Sequence, residues 1–131
     1  MRHHKVHATL PASDMHRAKK WYKDKLDLDP ENESEGGIFY EVAGGTRFAI
    51  YPTPNENRGG HTQLGFTTDD IDADVERLKG RGVEFEGYDL PGLKTENHIA
   101  RTGSARAAWF KDSEGNMIGI IQLPAGAEPG T

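Results

Sequence analysis

The sequence predicts an α+β fold: two βαβββ modules that form a curved, incomplete barrel-like mixed sheet with the helices outside. Three observations predict it. Each half of the chain opens with a short alternating strand that leads through an acidic residue into an amphipathic helix. Each half then continues into strand patterns joined by turn-forming residues. A constant spacing of 56 residues relates equivalent positions of the two halves, namely His7 and Gln63, Asp14 and Asp70, and Met15 and Ile71.

The pairing of two modules follows from what one module can bury. A single βαβββ unit has an apolar sheet face that it cannot cover alone, and two units in one curved sheet leave a concave side open as a cleft. The chain of 131 residues is therefore expected to be a single domain. Its parts are module one at about 5–53, a linker at 54–60, module two at about 61–123 and a tail at 124–131.

Composition excludes several classes of protein. There are no cysteines, which excludes disulfides, thiolate zinc sites and a cysteine nucleophile. The net charge of −5 comes from intermixed acidic and basic residues, so neither nucleic acid nor a membrane surface is an expected partner. No apolar run approaches the roughly 20 residues that cross a bilayer, and the first residues hold no apolar secretory core. The chain is expected to be cytoplasmic.

The first module begins with a strand and a helix. The strand is predicted at Val6–Leu10, and Pro11 is expected to end its ladder because proline has no N–H to donate. Ser13 or Asp14 is expected to cap the helix that follows, because a side-chain oxygen can accept from the free N–H groups at its start. The predicted buried stripe of this helix is Met15, Ala18, Tyr22 and Leu26.

The rest of the first module is predicted to be a loop and a hairpin. Asp29–Gly37 is rich in polar residues and glycine and is expected to be a loop. Two strands follow at Ile38–Val42 and Arg47–Tyr51, and the Gly44-Gly45 pair between them suits the positive φ angles of a tight turn. Pro52–Gly60 has the composition of a linker.

The second module repeats the strand and the helix. The strand is predicted at His61–Thr67, and Asp69 or Asp70 is expected to cap the helix. Gly80 and Gly82 are expected to stop it. The predicted inward positions are Ile71, Val75 and Leu78.

The end of the second module contains an unusual segment. Strands are predicted at Val83–Phe85, Ala107–Lys111 and Met117–Leu123, the last two joined by the turn Asp112–Asn116. Tyr88–Arg106 is too long for an ordinary connection, and loops of this length are usually mobile or functional. We therefore interpret it as a loop that acts as a lid over the cleft.

Four segments between His7 and Gln122 carry a family likeness: HATLPASDMHRAKKWYKDKLDL, GGTRFAIY, GFTTDDIDADVERLKGRGV and AAWFKDSEGNMIGIIQ. In this order they resemble the vicinal oxygen chelate superfamily, which includes glyoxalase I, fosfomycin-resistance enzymes, extradiol dioxygenases and bleomycin-binding resistance proteins. The resemblance implies paired βαβββ modules, a homodimer, and a ligand cavity inside each curved sheet. The superfamily contains two kinds of member. Metal-dependent members use four cavity-facing His, Gln or Glu ligands, and metal-free members only sequester a drug.

The resemblance places the four metal positions on this chain. The first falls on His7, and the equivalent position of the second module falls on Gln63, or on His61 in the register of the fosfomycin-resistance group. The expected carboxylates fall on Gly119 and near Ala49, which have no donor atoms, and hard or borderline cations in such sites need carboxylate oxygen. We therefore expect no metal or other cofactor. The alternative is a divalent ion held by His7, His61 and Glu41.

The small residues Ala49 and Gly119 are also expected to enlarge the cavity floor. The first functional hypothesis is therefore a glyoxalase/bleomycin-resistance-like protein that binds a small organic molecule without a metal, with Arg47 holding a carboxylate or phosphate. The alternatives are a divalent-metal-dependent lyase, isomerase or glutathione-type transferase, and a structural or regulatory module, so the sequence leaves open whether the chain is an enzyme. Trp109 is equally consistent with a core position. The predicted ligand-binding residues are His7, Thr9, Arg47, Tyr51, His61, Gln63 and Trp109.

Overall fold

A computed structural model describes residues 2–3, 7–54 and 61–124. Positions 55–60 of the predicted linker and 125–131 of the predicted tail lie outside the described residues. The described chain forms two compact units. The first holds the residues up to Pro54 together with the turn Asp112–Asn116, and the second holds 61–111 and 117–124.

The first unit is a four-stranded sheet with one helix, in the predicted order βαβββ. The strand order across the sheet is first, fourth, third, second, and the first strand runs parallel to the fourth while the other pairs are antiparallel. Its elements are β1 (Ala8–Ala12), α1 (Met15–Leu26), β2 (Asn32–Ser34), β3 (Gly37–Glu41) and β4 (Arg47–Pro52), with a 3-10 turn at Ala43–Gly45.

Two boundaries in the first unit differ from the prediction. β1 continues through Pro11, which pairs with Tyr51, because β1 lies at the edge of the sheet and an edge strand tolerates a missing N–H. The segment predicted as a loop at Asp29–Gly37 contains β2, whose three residues are all exposed and give no alternating apolar signal. The positive φ angles predicted for the glycine pair are confirmed, at 71° for Gly44 and 74° for Gly45.

The helix α1 follows the predicted pattern. Asp14 is its N-cap and accepts a hydrogen bond from the backbone N–H of Arg17. Ala18 and Tyr22 are completely buried, so the predicted stripe faces the sheet. Asp27 ends the helix in the left-handed region with φ 57°, and its N–H donates to the carbonyl of Lys23.

The second unit is a six-stranded sheet with one helix. Its first strand again lies at the edge and runs parallel to the last strand, the same topology as in the first unit. Asp70 caps the helix, and the predicted inward positions are buried. The elements are β5 (Thr62–Thr67), α2 (Ile71–Gly80), β6 (Asp89–Leu90), β7 (Leu93–Glu96), β8 (Ile99–Thr102), β9 (Ala105–Lys111) and β10 (Met117–Gln122).

Two predictions about the later strands are wrong. Phe85 makes only an isolated bridge to Phe110, so Val83–Phe85 is not a strand. The segment Tyr88–Arg106 is not a long loop, because β6, β7 and β8 occupy most of it, which removes the basis for a lid. The α+β class and the repeated modules are confirmed, with the strands of the two units in two sheets. No helix of the described residues is both long and apolar enough to span a membrane.

Candidate functional site

One face of the first sheet is free of the helix. Thr9 of β1 pairs with Ala49 of β4, and Ala49 pairs with Phe39 of β3, so these three residues lie side by side on one face. Residues one step along the strands point the other way: Leu10 and Tyr40 have no exposed surface and pack on the α1 side. We call the face that carries Thr9 the open face of the first unit.

A cavity of about 530 Å³ lies on this open face. Its size falls within the roughly 300–1,000 Å³ of typical small-molecule sites. The rings of His7 and Phe39 meet edge to face with centroids 5.5 Å apart, which gives the cavity an aromatic wall. The lining consists of one aromatic ring, one imidazole and several polar groups: His7, Glu31, Asn32, Phe39, Gly45, Thr46 and Arg47.

Arg47 lies between two carboxylates. Its Nε and Nη2 atoms donate to the two carboxylate oxygens of Glu31 at 3.2 Å each, and Nη2 lies 3.6 Å from Oε2 of Glu41. The hydrogen bond and charge of Glu31, followed by the charge of Glu41, raise the pKa of Arg47. One guanidinium against two carboxylates leaves this cluster with one net negative charge.

The structure brings together only part of the predicted first-unit site. His7 and Arg47 line the cavity, whereas Thr9 and Tyr51 share the open face without lining it. The predicted role of Arg47 changes, because the Glu31 carboxylate already occupies the edge that would bind an anionic ligand. The sequence interpretation missed five residues that line the cavity: Glu31, Asn32, Phe39, Gly45 and Thr46. Only Phe39 had a signal in the sequence, because it lies two residues before Glu41 in one strand and therefore shares its face.

The open face of the second unit carries Trp109 beside Gly119. These residues pair across β9 and β10, and the indole of Trp109 meets the ring of Tyr88 edge to face at 5.6 Å. A Cβ atom added at Gly119 would lie 3.4 Å from both Cδ1 and Nε1 of Trp109. The prediction that Gly119 enlarges a cavity floor is therefore wrong, because the indole of Trp109 occupies that space.

The two remaining predicted ligand residues lie at the start of β5. Met117 pairs with Thr62 and Ile118 with Leu64, so Gln63 is an extra residue in a β-bulge. The interpretation that His61 and Gln63 share a face rests on unbroken alternation, and the bulge removes that basis. His61 is exposed and Gln63 is half-buried. The ligand-binding roles of His61, Gln63 and Trp109 stay predictions.

The donor groups do not fit a divalent metal ion. No group of three or more His, Asp or Glu side chains within the described parts of the chain could hold one. Glu41, the alternative carboxylate ligand, is engaged with Arg47. Ala49 is buried and Gly119 lies against the indole of Trp109, and neither of these two residues has a side-chain donor atom.

The fold and the order of its segments define a class of protein. The chain belongs to the Glyoxalase/Bleomycin resistance protein/Dioxygenase superfamily, whose family model matches residues 5–120, which confirms the resemblance found in the sequence.

Known structures share this fold. The chain is similar to TnmS3, an antibiotic binding protein from Streptomyces sp. CB03234, with 26% identity, a TM-score of 0.61, and coverage of 92% of this chain and 97% of TnmS3. It is also similar to the fosfomycin resistance protein FosX from Listeria monocytogenes, with 18% identity, a TM-score of 0.68, and coverage of 93% and 94%; this likeness concerns the fold alone.

A likeness to a curated protein is more limited. A leucine–tRNA ligase from Alkalilimnicola ehrlichii (strain ATCC BAA-1101 / DSM 17681 / MLHE-1) is 26% identical over 108 residues. The match takes in 81% of this chain and only 12% of the ligase.

Proposed function

We propose that the chain binds a small organic molecule, neutral or positively charged, in the cavity on the open face of the first unit, and that it does so without a metal ion. The observation that carries this proposal is the cavity of about 530 Å³ beside the Glu31–Arg47–Glu41 cluster. Phe39 and His7 offer ring surfaces for an aromatic or aliphatic guest, and Asn32 offers an amide that can both donate and accept.

The preference for a neutral or cationic guest follows from the charges. An anionic ligand would have to displace the Glu31 carboxylate from Arg47 and approach a cluster of net negative charge. A cation would be attracted to the same carboxylates, and a neutral ligand would leave the ion pairs intact. Membership of a superfamily that includes bleomycin resistance proteins, and the likeness to an antibiotic binding protein, support a protective role by sequestration.

A binding screen tests this proposal. The chain is melted in the presence of metal-free bleomycin and a panel of aromatic amines, with uncharged and carboxylated analogues of each, and hits are titrated by calorimetry. We expect cationic and neutral compounds to raise the melting temperature, and Phe39→Ala to reduce that effect; carboxylated analogues should show no binding that Phe39→Ala weakens. A preference for the carboxylated analogues that Phe39→Ala removes, or no binder in the panel, would count against the proposal.

Variants locate the site. Phe39→Ala should weaken a hit roughly tenfold by removing ring contact. Glu31→Gln should weaken cationic hits while neutral analogues bind as before. Lys20→Gln is the matched control, because Lys20 is an exposed cation on α1 that pairs with a local carboxylate, Asp24.

The metal-dependent enzyme is the competing hypothesis. Equilibrium dialysis with zinc, nickel, manganese and iron, followed by elemental analysis, separates the two, because a metal-independent binder takes up none stoichiometrically. Should one metal bind tightly, and should His7→Ala abolish that binding together with a lyase, isomerase or transferase activity, the enzyme hypothesis would replace ours. We also propose a homodimer that acts in the cytoplasm, and sedimentation velocity and cell fractionation measure these properties.

A further inference from the structure

A second cleft, of about 820 Å³, lies on the helix side of the second sheet. Its side of the sheet is fixed by Arg106 of β9, whose guanidinium lies 2.6 Å from the carboxylate of Asp72 on α2. Trp109 is three residues further along β9 and therefore points to the opposite face. The two arginines of the cleft therefore lie on the face opposite Trp109, and every residue that lines the cleft belongs to the second unit.

Two arginines face each other in this cleft. Arg101 of β8 and Arg106 of β9 are direct partners in the antiparallel ladder, and both line the cleft. Like charges directly opposite on neighbouring strands destabilise a sheet unless an anion lies between them. Asp72 compensates Arg106, but Arg101 has no ion-pair partner among the described residues.

The other charged residues of the lining do not cancel the positive charge of Arg101. Lys94 adds a third cation to the lining, and Glu96 adds a second carboxylate to that of Asp72. Three cations against two carboxylates leave one net positive charge in the cleft. Its sign is opposite to that of the Glu31–Arg47–Glu41 cluster.

An apolar patch lies beside the arginines. Leu90 is 57% exposed, and its cross-strand partner Leu93 is half-buried; both line the same cleft. Ile99, two residues before Arg101 on β8, lies on the same side of its strand and is also half-buried. The cleft therefore combines aliphatic surface at the β6–β7 hairpin with guanidinium groups from β8 and β9.

We propose that this cleft is a second binding site, selective for an amphiphilic organic monoanion such as a medium-chain carboxylate. The carboxylate lies against the guanidinium group of Arg101, which can donate two parallel hydrogen bonds, while Arg106, already paired with Asp72, adds a second positive charge beside it. The hydrocarbon part lies on Leu90 and Leu93, where it covers apolar surface that is otherwise in water. This site goes beyond the function proposed above, since it uses different residues and selects the opposite charge.

Calorimetric titration of the whole chain with octanoate tests the proposal, with octylammonium and 1-octanol as ligands of matched chain length. We expect octanoate to bind with one site per chain, and the cation and the alcohol to bind at least tenfold more weakly. In the series hexanoate, octanoate and decanoate, each added methylene that the cleft buries should tighten binding roughly fourfold. No binding by octanoate or decanoate, or equal binding by 1-octanol in the Phe39→Ala variant, whose first cavity is weakened, would overturn the proposal.

Two variants and a control assign the binding to this cleft. Arg101→Gln should weaken octanoate at least tenfold, and Leu90→Ser should reduce the dependence on chain length while octanoate still binds better than octylammonium. Arg77→Gln is the control, since Arg77 is an exposed arginine on α2 that does not line the cleft. Arg101 and Arg77 are both exposed, so their glutamine variants should melt as the parent does. Unchanged octanoate affinity in Arg101→Gln would place the anion elsewhere and refute the site.

Discussion

The Nε atom of Arg17 lies 2.7 Å from Oε2 of Glu114, although 97 residues separate them along the chain. The Nη2 atom of Arg17 donates to the other carboxylate oxygen at 3.0 Å. That oxygen also accepts from the backbone N–H groups of Ser13 and Asp14, at 3.1 Å each, where α1 begins. Glu114 therefore holds the start of α1 with one buried carboxylate, which satisfies backbone donors that a helix leaves free.

Glu114→Gln should destabilise the protein. The variant removes the charge that attracts Arg17 and weakens both backbone hydrogen bonds, and the Glu114 side chain is only 1% exposed. Because Arg17 itself is half-exposed, we expect a loss of about 2 kcal/mol in the free energy of unfolding rather than the full cost of a buried pair. Urea unfolding at pH 7 measures it. Glu76→Gln, an exposed glutamate on α2, is the control and should unfold as the parent does.

The contribution of Glu114 should depend on pH. Burial raises its pKa, but the hydrogen bonds from Arg17, the Asp14 backbone and the Ser113 hydroxyl outweigh it and hold the pKa at about 2, below the usual 4.5. A carboxyl with a lowered pKa stabilises the fold above its unfolded pKa, and this stabilisation disappears as the pH falls toward its folded pKa.

The stability difference between the parent and Glu114→Gln should therefore be constant above pH 4.5 and shrink from there toward pH 2. Urea unfolding of both proteins at matched pH values measures the difference. The other titrating groups are the same in both proteins, so their contributions cancel in the difference. A difference that does not change across this range would contradict the role of the ionised carboxylate.

Two buried tyrosines with different hydroxyl environments provide a matched pair. The Tyr22 hydroxyl donates to Oδ2 of Asp112 at 2.6 Å, and burial, followed by the charge of Asp112, raises the pKa of Tyr22 well above its usual value. The Tyr40 hydroxyl is buried without a hydrogen-bond partner among the described residues, and burial raises its pKa to about 12. Both rings pack on each other with centroids 5.6 Å apart.

Tyr22→Phe should cost about 2 kcal/mol in the free energy of unfolding, because it takes a hydrogen bond from a buried carboxylate. Tyr40→Phe should be neutral or stabilising, because it removes a buried polar group that has no partner. Thermal and urea unfolding of the two variants give the comparison. Equal destabilisation by both would mean that ring packing, and not the hydroxyl of Tyr22, determines the result.

The helices could be predicted from the sequence because their signals are local. The apolar spacing of α1 and the capping oxygens of Asp14 and Asp70 lie within a few residues of the structure that they specify. The hairpin of β7 and β8 could not be predicted in this way. Its turn places Asn97 and His98 at φ 52° and 69°, a conformation that usually indicates glycine, and β7 is largely polar.

The residues of the first-unit cavity could also be predicted only where the signal is local. Arg47 could be predicted as a site residue, because strand alternation places it on the open face. Its partner Glu31 could not, because the ion pair depends on the pairing of β2 with β3, and β2 is an exposed polar edge strand without periodicity. The pairing of an exposed polar strand is set by its tertiary context, which a local pattern does not encode.

The last prediction concerns Gly119, whose missing side chain leaves room for the Trp109 indole. A Cβ at this position would lie 3.2 Å from Cγ2 of Thr62 and 3.4 Å from Cδ1 and Nε1 of Trp109. Gly119→Ala should therefore move the indole and cost roughly 1–2 kcal/mol, typical of overpacking. The free energy of unfolding and the tryptophan emission maximum should both change.

Gly65 provides the control within the same sheet. It is the direct partner of Gly119 on β5, yet a Cβ added there would meet no atom within 4 Å. Gly65→Ala should be neutral or slightly stabilising, because alanine restricts the unfolded chain without a clash in the folded one. If Gly119→Ala were as stable as Gly65→Ala and left the emission unchanged, the indole would not be held against Gly119. The space at the expected carboxylate position would then be available to a ligand, as the sequence first suggested.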